Sequence, residues 1–169
     1  FLYYNGELLA ESDPSGKIVS RYILGYGVAA GWNREKSVYH YYHLDEQNST
    51  AYITGGSCEI ENWYEYDAFG VLQNSREEFS DRILYTGQQY DQTSGQYYLR
   101  ARFYNPVIGR FVQEDVYRGD GLNLYAYCKN NPVVYYDPSG YGEEKCDKVG
   151  GNDSKSGRDT WNGDKQIYS

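Results

Sequence analysis

The chain has 169 residues and a net charge of −8 at pH 7, a length that is enough for one domain. The chain has 22 tyrosines, 5 phenylalanines and no methionine. This composition favours strands with one solvent-exposed face over an apolar globular core. The acidic balance argues against nucleic acid or an anionic membrane surface as a partner. No apolar run approaches the length of about 18 residues that a membrane-spanning helix needs. The composition therefore predicts an all-β protein.

The cysteines and histidines are too few and too scattered to indicate a metal site or a disulfide framework. Cys58, Cys128 and Cys146 are an odd number and contain no Cys-x-x-Cys pair. His40 and His43 are three residues apart on a strand-like segment, which places them on opposite faces. We predict no metal and no other cofactor, and we interpret Cys128 as a small buried hydrophobe.

Short strands and tight turns alternate through the first part of the chain. Asn5-Gly6 is the strongest two-residue hairpin signal, and Asp-Pro-Ser-Gly at 13–16 supplies an acceptor side chain, a fixed φ and a left-handed last residue. The predicted strands are 2–4, 8–10, 18–24, 38–43 and 51–54. The polar run 75–81 is predicted to be a loop.

The Asp-x-x-Gly unit returns at Asp67 and Asp137, at uneven spacing from Asp13. Repeated strand-turn units of this kind build stacking architectures, because one unit cannot bury its own face. The strand edges are therefore expected to pair with neighbouring repeats, or with a second copy of the chain.

An ordered series of motifs fills the segment from Thr86 to Gly140. They are Thr86-Gly87, Tyr90-Asp91, the run Gly-Gln-Tyr-Tyr-Leu-Arg-Ala-Arg from Gly95 to Arg102, Gly109-Arg110-Phe111, Glu114-Asp115, Leu122-Asn123-Leu124-Tyr125, Asn130-Asn131-Pro132 and Asp137-Pro138-Ser139-Gly140. This series resembles the Rhs-associated core of the YD-repeat (Rhs) family in its Gram-positive form. The tyrosine-rich repeats extend the resemblance back to Phe1, and residues 142–169 lie outside it.

The resemblance implies an antiparallel, spiralling β-shell that ends in a core segment threading inward. Residues 1–80 would be YD-repeat strands, 81–141 the closing core segment, and 142–169 the start of a variable, mostly flexible C-terminal region. The whole protein would be a secreted or surface-delivered polymorphic toxin whose shell encloses a C-terminal toxin domain. The partners would be the rest of the shell and that cargo. Because the chain starts with Phe and has no signal segment, we interpret it as a fragment whose targeting sequence lies upstream.

The resemblance also implies a site. In relatives, the corresponding carboxylates are proposed to act as an intramolecular aspartyl protease that cuts just after the terminal Asp-Pro-x-Gly-x. Carried over, Asp115 and Asp137 form the catalytic pair, Arg110 is a charge partner, and the cut falls between Tyr141 and Gly142. Two carboxyl groups suit this chemistry, because one deprotonates a water while the other, kept neutral, polarises the carbonyl or protonates the leaving nitrogen.

Two points stay open at this stage. Asp120 is an alternative partner of Asp137, because Asp115 is followed by Val rather than Pro and its spacing to the terminal aspartate is shorter than in many relatives. In addition, the aspartate of an Asp-Pro-x-Gly turn accepts backbone N–H groups whether or not it does chemistry. The alternative is a purely structural or adhesive cell-surface scaffold without catalysis.

The remaining aromatic and basic residues are interpreted structurally. Arg100 and Arg102 alternate on one strand and are predicted to be solvated or stacked on tyrosines. Tyrosines at alternate positions, such as Tyr125 and Tyr127, indicate cross-strand packing. A carbohydrate-binding face of exposed tyrosines is a second hypothesis for these residues.

Overall fold

The computed structural model describes residues 1–4, 6–116 and 123–145. Within this part of the chain the regular elements are fourteen short β-strands and two single-turn 3-10 segments, Tyr85–Gly87 and Cys128–Asn130. The strands are β1 Leu2–Tyr4, β2 Glu7–Ser12, β3 Ile18–Leu24, β4 Val28–Asn33, β5 Val38–Leu44, β6 Thr50–Thr54, β7 Ile60–Tyr66, β8 Leu72–Arg76, β9 Gln89–Asp91, β10 Gln96–Leu99, β11 Arg102–Asn105, β12 Arg110–Phe111, β13 Tyr135–Tyr136 and β14 Glu144–Lys145.

The prediction of an all-β, antiparallel protein is confirmed. None of the described residues belongs to a helix with the length and apolarity needed to cross a membrane. Asp120 and most of the C-terminal region predicted to be flexible, residues 146–169, lie outside the described residues.

Strands β1 to β8 form one sheet in which each strand pairs with the next along the chain. Aspartate side chains close several of its turns. Asp13 Oδ1 accepts the backbone N–H groups of Ser15 and Lys17 at 3.0 Å each. The carboxylate thus takes backbone donors that a turn leaves without strand partners, which is why Asp-x-x-Gly links the strands so tightly. The first and last strands, β1 and β8, are the two open edges of this sheet.

A second sheet, in the order β12-β11-β10-β9, packs against one face of the first. The shared core is mostly aromatic and is buried from both sides. Its members include Ile53 and Tyr64 from the first sheet, Tyr97, Leu99, Tyr104 and Phe111 from the second, and Tyr127 from the loop that follows. The stacked rings of Tyr104 and Tyr127 lie 4.0 Å apart, so the segment after β12 is anchored in this core.

Hydrogen bonds from buried hydroxyls explain why three positions in and around this core hold Tyr rather than Phe. Three of them donate to backbone carbonyls of the turn between β7 and β8. The pairs are Tyr85 to Ala68 at 2.9 Å, Tyr97 to Gly70 at 2.9 Å and Tyr104 to Phe69 at 2.7 Å. Each of these three hydroxyls is satisfied, and the bonds tie the second sheet and the 3-10 segment before it to the last turn of the first sheet.

The other face of the first sheet is open. Tyr39, Tyr41 and Tyr52 lie there with 48%, 49% and 41% of their surface exposed. The composition predicts a sheet with one buried and one solvent-exposed face, and the first sheet has this arrangement. Carbohydrate binding by this face stays a prediction.

Candidate functional site

Arg102, the first residue of β11, connects the two aspartates that the sequence singled out. Its side chain is buried, and the guanidinium lies 3.6 Å from the centre of the Phe111 ring. Nη1 is 2.8 Å from Asp115 Oδ2, and Nη2 is 3.8 Å from Asp137 Oδ2. One buried cation therefore lies between two carboxylates that are 22 positions apart in the chain.

Asp137 combines the geometry of an ordinary turn with an unusual environment. Its Oδ1 accepts the backbone N–H groups of Ser139 at 3.0 Å and Gly140 at 2.7 Å, as the carboxylate of Asp13 does in its own turn. Asp137 differs because it is only 2% exposed and its second oxygen faces Arg102. The turn accounts for one carboxylate oxygen and leaves the other directed at the site.

Burial raises the pKa of Asp137 above the ordinary value of 3.8. The backbone N–H groups of Ser139, Gly140 and Gly142 and the charge of Arg102 lower this pKa but only partly offset the burial. At the exposed turn of Asp13 the balance is reversed, because hydrogen bonds from Ser15 and other donors lower that pKa to about 2. Asp137 is therefore better placed than a surface turn aspartate to carry a proton.

The chain after Asp137 is held against the same arginine. Arg102 Nε donates to the carbonyl oxygen of Gly140 at 2.5 Å. Tyr141 and Gly142 then line a cleft together with Arg102, Asp115 and Asp137. The predicted cut site and both predicted carboxylates thus share one cleft.

Gly140 allows this close approach, and Gly142, two residues further along the chain, provides a matched control. Gly140 has a φ of +74°, and a Cβ there would lie 2.4 Å from the carbonyl oxygen of Leu99. A Cβ on Gly142 would have no neighbour within 4 Å. We expect Gly140→Ala to destabilise the second sheet by about 2 kcal/mol or more and Gly142→Ala to stay within about 0.5 kcal/mol of wild type.

Native-state hydrogen exchange of the β10 and β11 amides would measure the stability of the second sheet in both variants. Equal effects of the two substitutions would show that the backbone contact at Gly140 does not hold this loop.

One predicted site residue lies apart from the cluster, and another falls outside the described residues. Arg110 is exposed on β12 and is not among the residues that line the cleft. Asp120 lies outside the described residues, so its part stays a prediction. Of the predicted carboxylates, the described site contains Asp115 and Asp137.

The interpretation of Arg102 as solvated or stacked on tyrosines is wrong. The residue is 6% exposed, its ring contact is with Phe111, and its charge faces carboxylates. Strand periodicity could have found it, because Arg102 and the fully buried Tyr104 occupy alternate positions and share one face of β11. The prediction that Cys128 is buried is confirmed, and the residue lies in a 3-10 turn.

The chain is similar to segments of known proteins that are much longer than it is. No protein-family model matches it. It is 34% identical to the tRNA3(Ser)-specific nuclease WapA of Bacillus spizizenii over 150 residues, which are 82% of this chain and 6% of that protein. It is 39% identical to the toxin subunit YenC1 of Yersinia entomophaga over 90 residues, 52% of this chain and 9% of the other. The crystal structure of TcdB2-TccC3 is similar with a TM-score of 0.64 and 26% identity, covering 76% of this chain and 7% of that one.

The matches cover most of this chain but only a small part of each relative. The chain spans 6% of the length of the WapA protein and 9% of YenC1. The matched region is therefore a module that recurs in much longer proteins.

Proposed function

The chain belongs to the YD-repeat (Rhs) family, and we propose that it is the closing section of a β-shell that encloses and delivers a C-terminal toxin domain. The proposal is supported by relatives that are named as a nuclease and a toxin subunit and by the toxin-complex fold. On this proposal the open edges at β1 and β8 pair with neighbouring strands of the shell. The partners are then the rest of the shell and its cargo, and the protein acts at or beyond the cell surface.

The second part of the proposal is a single cut of the chain between Tyr141 and Gly142. One observation carries it: both residues line the cleft in which Arg102 connects Asp115 with Asp137. An ordinary turn aspartate needs neither burial nor a buried arginine. A reaction that happens once on its own chain does need the bond and both carboxyl groups in one place.

The cleft residues have different roles in the proposed peptide hydrolysis. Asp115, the ion-pair partner of Arg102, takes a proton from a water whose oxygen bonds to the carbonyl carbon of Tyr141. Asp137 is the carboxyl group with the raised pKa, and it gives its proton to the nitrogen of Gly142 as the C–N bond breaks. The products are a carboxylate on Tyr141 and an amine on Gly142. Arg102 fixes the geometry by binding Asp115 and the Gly140 carbonyl.

The test is the intact mass of the full-length protein, as wild type and with single Asp→Asn substitutions. We expect wild type to yield a fragment that ends at Tyr141, while Asp115→Asn and Asp137→Asn remain whole because each lacks one ionisable carboxyl group. Asp13→Asn is the matched control, since it changes the same kind of turn at a partly exposed position outside the cleft. Asp120→Asn decides whether that residue also takes part.

The outcomes separate the two candidate functions. A cut that persists in the Asp115→Asn and Asp137→Asn proteins would exclude the aspartate mechanism. If neither the wild type nor the variants are cut, the aspartates only form turns, and the chain closes the shell without catalysis.

A further inference from the structure

Lys129 forms an ion pair with Glu143, the second residue after the predicted cut. Glu143 is largely covered, with 16% of its side chain exposed, whereas Lys129 lies at the rim with 60% exposed. The ammonium group of Lys129 also lies 5.5 Å from the centre of the Tyr135 ring. Both Lys129 and Glu143 line the cleft that contains the two aspartates.

The backbone that carries Lys129 is held in an unusual conformation. Cys128, Lys129 and Asn130 have φ values of +48°, +52° and +59°, so three consecutive residues other than glycine are left-handed. Such residues are disfavoured one by one, and runs of them are rare. This run is fixed by the buried Cys128 and by a hydrogen bond from Asn130 N–H to the Tyr127 carbonyl at 2.9 Å. The backbone of Lys129 is therefore anchored next to a residue of the core.

The chain on both sides of the predicted cut is restrained. On the N-terminal side, Arg102 binds the Gly140 carbonyl. On the C-terminal side, β14 pairs with β13, with Tyr135 opposite Lys145 and Tyr136 opposite Glu144. The predicted bond lies in the connection between these two strands, and Glu143 is the residue directly before β14. The ion pair with Lys129 thus acts where the paired strand meets the site.

We propose that Lys129 is a positioning residue that holds the segment after the cut, through Glu143, so that the Tyr141–Gly142 bond stays against Asp115 and Asp137. This inference rests on the proposed self-cleavage. Lys129 touches none of the reacting atoms in the proposed reaction. It accelerates the cut because the ordering of the loop is completed before the reaction begins.

The experiment follows the rate of cleavage in the full-length protein after synthesis or refolding, by intact mass. Lys129→Met keeps a long unbranched side chain at the left-handed position and removes only the charge. We expect it to slow the cut about fivefold, the scale of an exposed ion pair. Lys145→Met is the matched control, because it removes a charge from the exposed end of β14, and it should cut at the wild-type rate.

Charge exchange distinguishes an ion pair from a general structural role. Lys129→Glu alone should slow the cut about tenfold, since it places two carboxylates together. The double variant Lys129→Glu with Glu143→Lys should recover most of the wild-type rate. A wild-type rate in Lys129→Met, or no recovery in the double variant, would overturn the proposal.

A second measurement does not depend on cleavage. In the uncut Asp115→Asn protein, hydrogen exchange of residues 142–145 should become several-fold faster when Lys129→Met is added, and unchanged when Lys145→Met is added. If wild type is never cut, the proposed self-cleavage fails, and this exchange result still decides whether Lys129 holds the segment. Unchanged exchange in that case overturns the restraint itself.

Discussion

Arg102→Met is expected to destabilise the region around β11 by about 3–5 kcal/mol and to abolish the cut, because it leaves Asp115 and Asp137 in a covered site without their shared cation. Removing one member of a buried charge cluster lowers the free energy of unfolding by more than the intact cluster adds to it. The remaining charged groups are already removed from water and no longer have their partner. The loss also removes the donor that holds the Gly140 carbonyl, so the segment to be cut is released from the site. Hydrogen exchange of the β10 and β11 amides and the intact mass of the full-length protein would measure the two effects.

Arg110→Met is the control for this prediction. Arg110 is exposed on a neighbouring strand, and its replacement should change stability by less than about 0.5 kcal/mol. The double variant Arg102→Met with Asp115→Asn should recover part of the lost stability, because it removes the carboxylate that had formed an ion pair with Arg102. If Arg110→Met blocks the cut while Arg102→Met does not, the charge partner is the one that the family resemblance implied.

Local chemistry explains how much of the fold could be predicted from the sequence. The turn at 13–16 and the strand 18–24 were predicted from Asp-Pro-Ser-Gly and from the apolar run that follows, and both are signals within a few residues. Tyrosine spacing predicted strands for the same reason. The packing of the second sheet on the turn between β7 and β8 could not be predicted, because it depends on contacts such as Tyr97 to Gly70 between distant segments.

The site was predicted in part for a similar reason. Asp137 was found because its turn motif is local, and Asp115 because the resemblance supplied its spacing. Arg102 was missed, since its importance comes from three segments that meet only in the folded chain. The polar run 75–81 was interpreted as a loop, yet its first two residues belong to β8 and its last residue, Asp81, is buried. A polar composition predicts exposure on average and cannot identify the single residue that packs inward.

Asp81 sets a pH dependence of stability with an unusual direction. The residue is 3% exposed, and burial raises its pKa from 3.8 to about 7, although the hydroxyl of Tyr42 donates to it at 2.8 Å. The nearby acids Glu77 and Glu11 raise this pKa further. The folded state therefore holds the proton more tightly than the unfolded chain does. The stability that follows is complete below pH 3.8 and is lost as the pH rises through about 7.

Asp81→Asn should remove this loss. Relative to wild type, the variant is expected to gain about 2–3 kcal/mol of stability between pH 5 and pH 8, because the amide keeps an acceptor for Tyr42 but never ionises. Hydrogen exchange of the β3 to β5 amides at the two pH values, corrected for the intrinsic exchange rates, would measure the difference.

Tyr42→Phe tests the cause of this pH dependence by removing the hydrogen-bond donor of Asp81. It removes the donor that favours the charged form, so the pKa of Asp81 should rise further and the loss of stability should extend to higher pH. Most carboxylates that accept hydrogen bonds stabilise a fold as the pH rises, as at the exposed turn of Asp13, where hydrogen bonds lower the pKa. A stability difference between Asp81→Asn and wild type that does not change with pH would show that Asp81 stays ionised in the fold. The burial of this carboxyl group would then be compensated by its partners rather than by a proton.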